Sequence, residues 1–413
     1  VPLSTSNDIL ALKHAYEVLQ GLKLVHEYGP LRSFLENDAA QRAQTIIAPA
    51  VSLVHSTSRR DKDGTYLVDA PSPWHAYFYL RAQQQFCFRG GRPLGEPPSL
   101  DGKTLGEHLF FRGQRCASWT FQTSRRRKNQ CEQQVEQRAV TAVTEYFRLM
   151  FASDQSIASN IGLCFAQHYG IATDLIDISC DADIAVWFAT HPSAGTCPNE
   201  EGAVVRSVSW AGQEDEAKTL FLLPPPFVRN VYLQRGLFID ASATNGLMLG
   251  KIQMQVYFPR DTAGGEFQVI RSGTSVEVWP GLDRSERELV HWAREIALEY
   301  QDDEAVRSRV VEDRNANTFP EFWLEKGLYE HDTQLQEWLS LLDWVLPATC
   351  VTALPVAGHA PMLYEVSTPK VRALVRANSG FFRAFVSVFE GANFTGFESL
   401  ERVFLIARAE LSK

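Results

Sequence analysis

The stretch Gly162–Thr190, GLCFAQHYGIATDLIDISCDADIAVWFAT, constrains the chain more than any other. Its polar residues His168, Asp177, Ser179, Asp181 and Asp183 are threaded between dense apolar blocks. Such blocks fold inward, and a buried polar group left without a partner costs roughly 1–3 kcal/mol. Each polar residue here is therefore either satisfied locally or put to use. The pattern reads as a helix ending through Ala166–Gly170, a turn at Gly170, a passage through Leu175-Ile176-Asp177, and a second helix entered near Asp181.

Around this stretch, 413 residues are long for one core, so two or more domains, or one domain with large additions, are expected. Residues 1–99 read as a mostly helical N-terminal region. Asn7 and Asp8 cap a helix carrying Ile9, Leu12, Ala15 and Leu19, Leu31–Val54 is mostly helical, and Ser56–Gly64 is a polar loop. Residues 100–280 read as an α+β core. Leu109–Phe111 is a short strand ending in Arg112-Gly113-Gln114, and Ala203–Trp210 and Lys251–Pro259 alternate as strands do. Residues 281–413 read as mostly helical, with a capping box at Ser285 and Glu288 ahead of Leu289, Trp292, Ile296 and Tyr300.

His168 and Asp177, nine residues apart across the Gly170 turn, form either a base with its orienting partner or two locally hydrogen-bonded structural residues. Ser179 is placed to cap the next helix. Asp181 and Asp183 in that first turn oppose an anion and read as surface helix acids, while Ile184, Trp187 and Phe188 read as core. Metal binding is weakly supported, because Asp177, Asp181, Asp183 and His191 match no ligand spacing. The chain carries no P-loop, Gly-x-Gly-x-x-Gly or Gly-x-Ser-x-Gly motif. Ser124–Lys128 is the densest basic run, either a solvated helix entrance or a phosphate contact.

A net charge of −9 and a pI near 5.7 argue against a surface wholly adapted to nucleic acid. Seven widely spaced cysteines with no Cys-x-x-Cys pair fit reduced thiols. No run of about 18 apolar residues and no signal-peptide pattern is seen, which fits a cytoplasmic protein without a membrane partner.

Three separated segments together resemble the bacterial FRG domain family, named for a Phe-Arg-Gly signature. Phe111-Arg112-Gly113-Gln114 with Trp119 resembles its opening motif. Ala166–Gly170, Thr173, Leu175, Asp177, Ser179, Ala185 and Phe188-Ala189 resemble its central motif, and Arg229, Gln234, Gly236 and Phe238 its third. Phe88-Arg89-Gly90 is a decoy without the downstream glutamine and tryptophan. The resemblance covers roughly residues 100–270, and departs at Ala172 and Asp174, where the family usually has proline and arginine.

The family's layout is similar to that of ADP-ribosyltransferases, which implies a mixed or antiparallel sheet core of that type with helical additions at both ends. It implies NAD as a substrate, a protein or nucleic-acid acceptor, an antitoxin-like partner, and work as a toxin or phage-defence effector. In that resemblance Arg112, His168, Asp177 and Gln234 are catalytic. Arg112, Gly113, Gln114, Ser179, Phe188 and Gln234 hold NAD, with Arg112 on a phosphate and Ser179 at the nicotinamide ribose. Bond breaking passes through an oxocarbenium-like centre that needs a carboxylate. The usual glutamate position is Gly236, leaving Asp177, Asp240 or Glu266 as substitutes. The competing classes are a nucleic-acid-binding or nuclease-like module using His168, Asp177 and the basic run, and a non-catalytic binding domain.

Overall fold

A computed structural model of the protein describes residues 6–21, 38–89, 109–150, 155–179, 181–191, 202–209, 221–222, 234, 236–241, 252–260, 267–271, 274–275, 278, 282, 284–320, 351–354, 363–366, 368–377, 379–390 and 398–413. Strands β1 (Arg59–Arg60), β2 (Tyr66–Asp69), β3 (Leu109–Gln114), β4 (Leu175–Ser179), β5 (Ala203–Ser209), β6 (Phe221–Leu222), β7 (Gly236–Asp240) and β8 (Ile252–Phe258) form one sheet. Its order is β1-β2-β8-β5-β3-β4-β7-β6. The pair β2–β8 is parallel and the other neighbours are antiparallel, so the class is α+β with a mixed sheet. Two of the strands, β1 and β2, come from before residue 100, inside the segment read as a polar loop and its sequel.

Helices α1 (Ser6–Gly21), α2 (Asp38–His55) and α3 (Pro73–Arg89) precede β3. Helices α4 (Gln130–Met150), α5 (Gln155–His168) and α6 (Ala182–Thr190) flank β4. Helices α7 (Arg284–Glu299), α8 (Asp303–Asn315), α9 (Thr368–Ala377), α10 (Ser379–Phe389) and α11 (Glu398–Leu411) follow the sheet. Alternation along the strands sorts the core. Phe111, Val205, Met254 and Val256 face a layer holding Tyr16, Ile47, Tyr77 and Ile184, whereas Phe110, Ile176, Ile178 and Val208 face Leu374, Phe382, Phe385 and Val403. The third cluster packs α4, α5, α7 and α8 over Leu175 and Phe238.

Local chemistry explains the element ends that matter to β4. Asn129 and Glu132 exchange side chain–backbone bonds of 2.9 and 3.0 Å, a capping box that starts α4. Gly162 lets α4 and α5 cross closely, since a Cβ there would lie 2.6 Å from Thr144 Cα. Helix α5 stops at Gly170, whose φ of +89° suits glycine, and Ile171 N–H closes on Ala166 C=O at 2.9 Å. The helix read from Ser285 starts one residue earlier, at Arg284. Ser285 and Glu288 both lie inside α7, and Glu288 accepts from Arg284 one turn earlier at 2.7 Å.

Asp181 and Asp183, read as surface acids, have no exposed area. Tyr16 explains the second: its hydroxyl donates to Asp183 Oδ2 at 3.1 Å and accepts from Ile270 N–H at 3.0 Å, tying α1 to α6. The thiols are not uniformly reduced either, since Cys116 is disulfide-bonded while Cys131 and Cys164 are free. Linear spacing does not show which thiols the fold brings together. No helix among the described residues is long and apolar enough to cross a membrane.

Two stability tests follow from this packing. A Cβ at Gly113 would lie 1.8 Å from Ala185 O, so Gly113→Ala should cost at least about 3 kcal/mol or prevent folding. Gly64→Ala, with φ +83° but open space around it, should cost only about 1–2 kcal/mol in the same urea titration. His75 is buried with Nδ1 2.8 Å from Ser72 Oγ, and burial pushes its pKa from 6.5 down to about 4 against a weaker upward pull from Asp8. Because the folded pKa is depressed, His75 costs nothing above the unfolded pKa of 6.5. As pH falls from there towards 4, the unfolded chain binds a proton that the folded chain does not. His75→Gln should therefore gain on the wild type by about 2 kcal/mol between about pH 7 and about pH 5. A pH-independent difference would remove His75 from the acid response.

Candidate functional site

The sheet opens between β3 and β4. These strands share one residue pair, Phe111 with Ser179, while β3 pairs with β5 along its whole length and β4 does so with β7. Beyond that pair the strands diverge, and a cavity of about 210 Å³ occupies the opening. It is lined by Phe111, Arg112, Gly113, Gln167, His168, Asp177, Ile178, Ser179, Ile184, Ala185, Phe188, Gln234, Gly236, Leu237 and Phe238. Helix α6 closes its back, held close to β3 where Gly113 has no side chain.

Arg112 bridges the opening. Its Nη1 donates to Asp177 C=O at 2.8 Å and to Asp177 Oδ2 at 3.3 Å, so the guanidinium takes up a carbonyl on the side where β4 lacks a strand partner. The carboxylate side chain is 40% exposed, enough for a ligand to reach, against 17% for Arg112. The same oxygen, Oδ2, also accepts from Gln167 Nε2 at 2.7 Å. Gln167 is itself oriented, because its Oε1 accepts from the hydroxyls of Thr173 and, at 3.4 Å, Ser124. That amide can thus turn only its NH₂ toward Asp177. The Asp177 carboxylate takes these bonds from Arg112 and Gln167. His168 is buried, its ring set edge-on to Phe238 at 6.1 Å.

Ser179 ends β4 and does not cap α6; the N-cap is Asp181. The serine hydroxyl donates to Gln234 C=O at 2.7 Å and accepts from Asp181 N–H at 3.0 Å. It thereby ties β4, the segment that leads into β7, and the entry to α6 into one junction. The Gln234 side chain is buried and donates to Val278 C=O at 3.3 Å.

Of the residues singled out from sequence, Arg112, Gly113, His168, Asp177, Ser179, Phe188 and Gln234 all line this cavity. Gln114 does not. It alternates away from Gly113, donates to Trp119 and Thr120 carbonyls, and accepts from the buried Arg206, whose pKa burial lowers to about 10. Asp240 lies at the far end of β7, opposite Leu175, and Glu266 and Arg229 lie outside the described residues. Sequence reasoning misses Gln167 as a site residue. Its signal is a lone amide on the last turn of an apolar helix, six residues before a threonine across a glycine turn.

In the basic run, Arg125 pairs with Asp174 and Gln137, and Lys128 with Glu136 at 2.6 Å. These two cations are held internally. Arg126 and Arg127 are exposed on the short 3-10 turn Arg125–Arg127.

The packing of α5 behind this site can be tested through two described thiols. Burial, with a further push from Asp177, raises the Cys164 pKa, whereas Cys131 is exposed. Iodoacetamide at mildly alkaline pH should label Cys131 in the native protein and Cys164 only after denaturation, as read by peptide mass mapping. Labelling of both at similar rates would mean that α5 opens in the native state.

No curated protein and no solved structure matches the chain. Residues 107–195 match the family model of the FRG domain, a span that runs from β3 through α6 and contains the β3–β4 opening with its Arg112, Asp177 and Ser179.

Proposed function

We propose that the β3–β4 cleft binds NAD and that the protein is an ADP-ribosyltransferase-like enzyme acting on a macromolecule. The observation that carries this reading is the convergence on one cavity of Arg112 from β3, Asp177 and Ser179 from β4, Phe188 from α6, and Gln234. The fit is chemical. Phe188 offers apolar surface for a flat ring, Arg112 offers a charge for phosphate, and Asp177 offers a reachable carboxylate. About 210 Å³ suits the nicotinamide–ribose end, with the rest of a dinucleotide at the mouth.

What NAD brings is a glycosidic bond whose cleavage releases nicotinamide with the bonding electrons and leaves positive charge on the ribose. Asp177 is the acid at hand for that charge, since Gly236 has no side chain and Asp240 sits at the other end of its strand. A phosphate competing for Arg112 would leave Asp177 held by Gln167 alone, raising the negative charge available to the ribose. Ser179 acts through the main chain, because its hydroxyl is already committed to Gln234 and Asp181. His168 forms part of the buried wall. An acceptor nucleophile would form the new bond to the ribose and lose its proton.

Calorimetry and nicotinamide release with protein and nucleic-acid acceptors test the reading. Asp177→Asn should lower nicotinamide release by about 10²–10³-fold with little change in NAD affinity. Arg112→Ala should weaken NAD binding by at least about tenfold, and its melting temperature must be checked because Arg112 also bonds a main-chain carbonyl. Absence of both NAD binding and nicotinamide release in the wild type would end the proposal, as would activity indifferent to Arg112→Ala.

A further inference from the structure

From the placement of the Arg125–Arg127 turn we infer that Arg127 is a second anion-binding residue of the cleft, which together with Arg112 holds a diphosphate group of the ligand. The turn is stapled to the segment that leads into β4. Arg125 N–H donates to Thr173 C=O at 3.3 Å, Thr173 N–H donates to Ser124 Oγ at 3.2 Å, and the Arg125–Asp174 ion pair locks the same contact. Arg127 is thereby held near the start of β4, the strand whose Asp177 Arg112 engages. Its electrostatics agree with that position: burial of its surroundings lowers its pKa first, Arg112 pushes it down further, and Asp177 pulls it up.

Two guanidinium groups that feel each other repel, and one carboxylate shared between them only partly offsets this. Arg125 and Lys128 are neutralised by Asp174 and Glu136, but no hydrogen bond or ion pair ties the Arg127 side chain to another described residue. A dianion between Arg112 and Arg127 would relieve the repulsion, and forked guanidinium donors suit phosphate oxygens. A small nucleotide fits better than a nucleic acid strand. The cations form a pair beside a compact cleft, not a long stripe, and the chain carries a net charge of −9.

The inference deepens the NAD reading and rests on it for the rest of the ligand, but its own claim is the diphosphate contact. Titration calorimetry of the full chain with ADP, inorganic pyrophosphate and adenosine tests it. ADP and pyrophosphate should bind, with adenosine at least about tenfold weaker than ADP. Arg127→Ala should weaken ADP and pyrophosphate about tenfold, Arg127→Lys less, and the neighbouring Arg126→Ala under about twofold. Equal ADP affinity in wild type and Arg127→Ala, or no binding of ADP and pyrophosphate to the wild type, would overturn it. So would a single-stranded oligonucleotide that binds more tightly than ADP and loses affinity alike with either arginine. If ADP behaves as stated while NAD is never cleaved, the diphosphate site stands and the transferase reading falls. If NAD is cleaved equally well by wild type and Arg127→Ala, the transferase reading stands and the diphosphate contact falls.

Discussion

The contact on which the site depends is the approach of α6 to β3 at Gly113. A Cβ at that position would sit 1.8 Å from Ala185 O, so the backbone of the helix rests on the backbone of the strand. Helix α6 is thereby fixed behind the place where β3 and β4 share one residue pair. A sheet that opened there without such a backing would expose main-chain groups and apolar surface together. With it, Ile184, Ala185 and Phe188 form a wall, and the opening becomes a lined cavity. Arg112 completes the arrangement by donating to Asp177 C=O at 2.8 Å, so the same guanidinium holds the seam and faces the cavity.

Ala172 and Asp174, on the turn before β4, have partners on one neighbouring segment. Ala172 donates its N–H to Glu136 Oε2 at 2.8 Å, a bond that proline, lacking the N–H, could not make. Glu136 is buried and also receives Lys128 at 2.6 Å. Asp174 is met by Arg125 from the same segment. The chain therefore carries an arginine–carboxylate pair at this joint with the cation on the Arg125–Arg127 turn, not on the β4 side. The consequence is mechanical: the turn before α4 is bolted to the turn before β4, and Gln167, Thr173 and Ser124 lie within that joint. Asp177 inherits its orientation from it through Gln167.

Much of this is legible from residue pattern. Strands β5 and β8 follow from alternation, and the four apolar positions of β8, Ile252, Met254, Val256 and Phe258, are the buried ones. The Gly170 turn follows from a glycine after a helical run, and the cavity residues from separated motifs that strand ends bring together. What pattern does not show is partnership across long stretches of chain. Strand β2 is four residues long, and its parallel partner β8 comes after the whole cavity has been built. Asp183 reads as a solvated first-turn acid because nothing near it in sequence announces Tyr16, itself indistinguishable from a core aromatic on α1. Ser179 reads as a cap because a serine before a helix is a common cap. The strand in fact runs to Ser179, and its hydroxyl serves the Gln234 carbonyl instead.

The position of the acid is a matter of register. Ser179 stands directly opposite Gly236, and Asp177 directly opposite Phe238. Directly opposed residues share a face, and residues two apart on one strand share it too, so Asp177 projects from the same face as position 236. The two are diagonal neighbours, roughly 7–8 Å apart, within the reach of a side chain that would start from either. A glycine at 236 keeps that strand start clear, while Gln167 and Arg112 hold the carboxylate over the cavity from the adjoining strand. A negative charge on this face therefore needs no acid at position 236. It needs β4 to run past the Phe111–Ser179 pair without β3 beside it, and the opening of the sheet provides that.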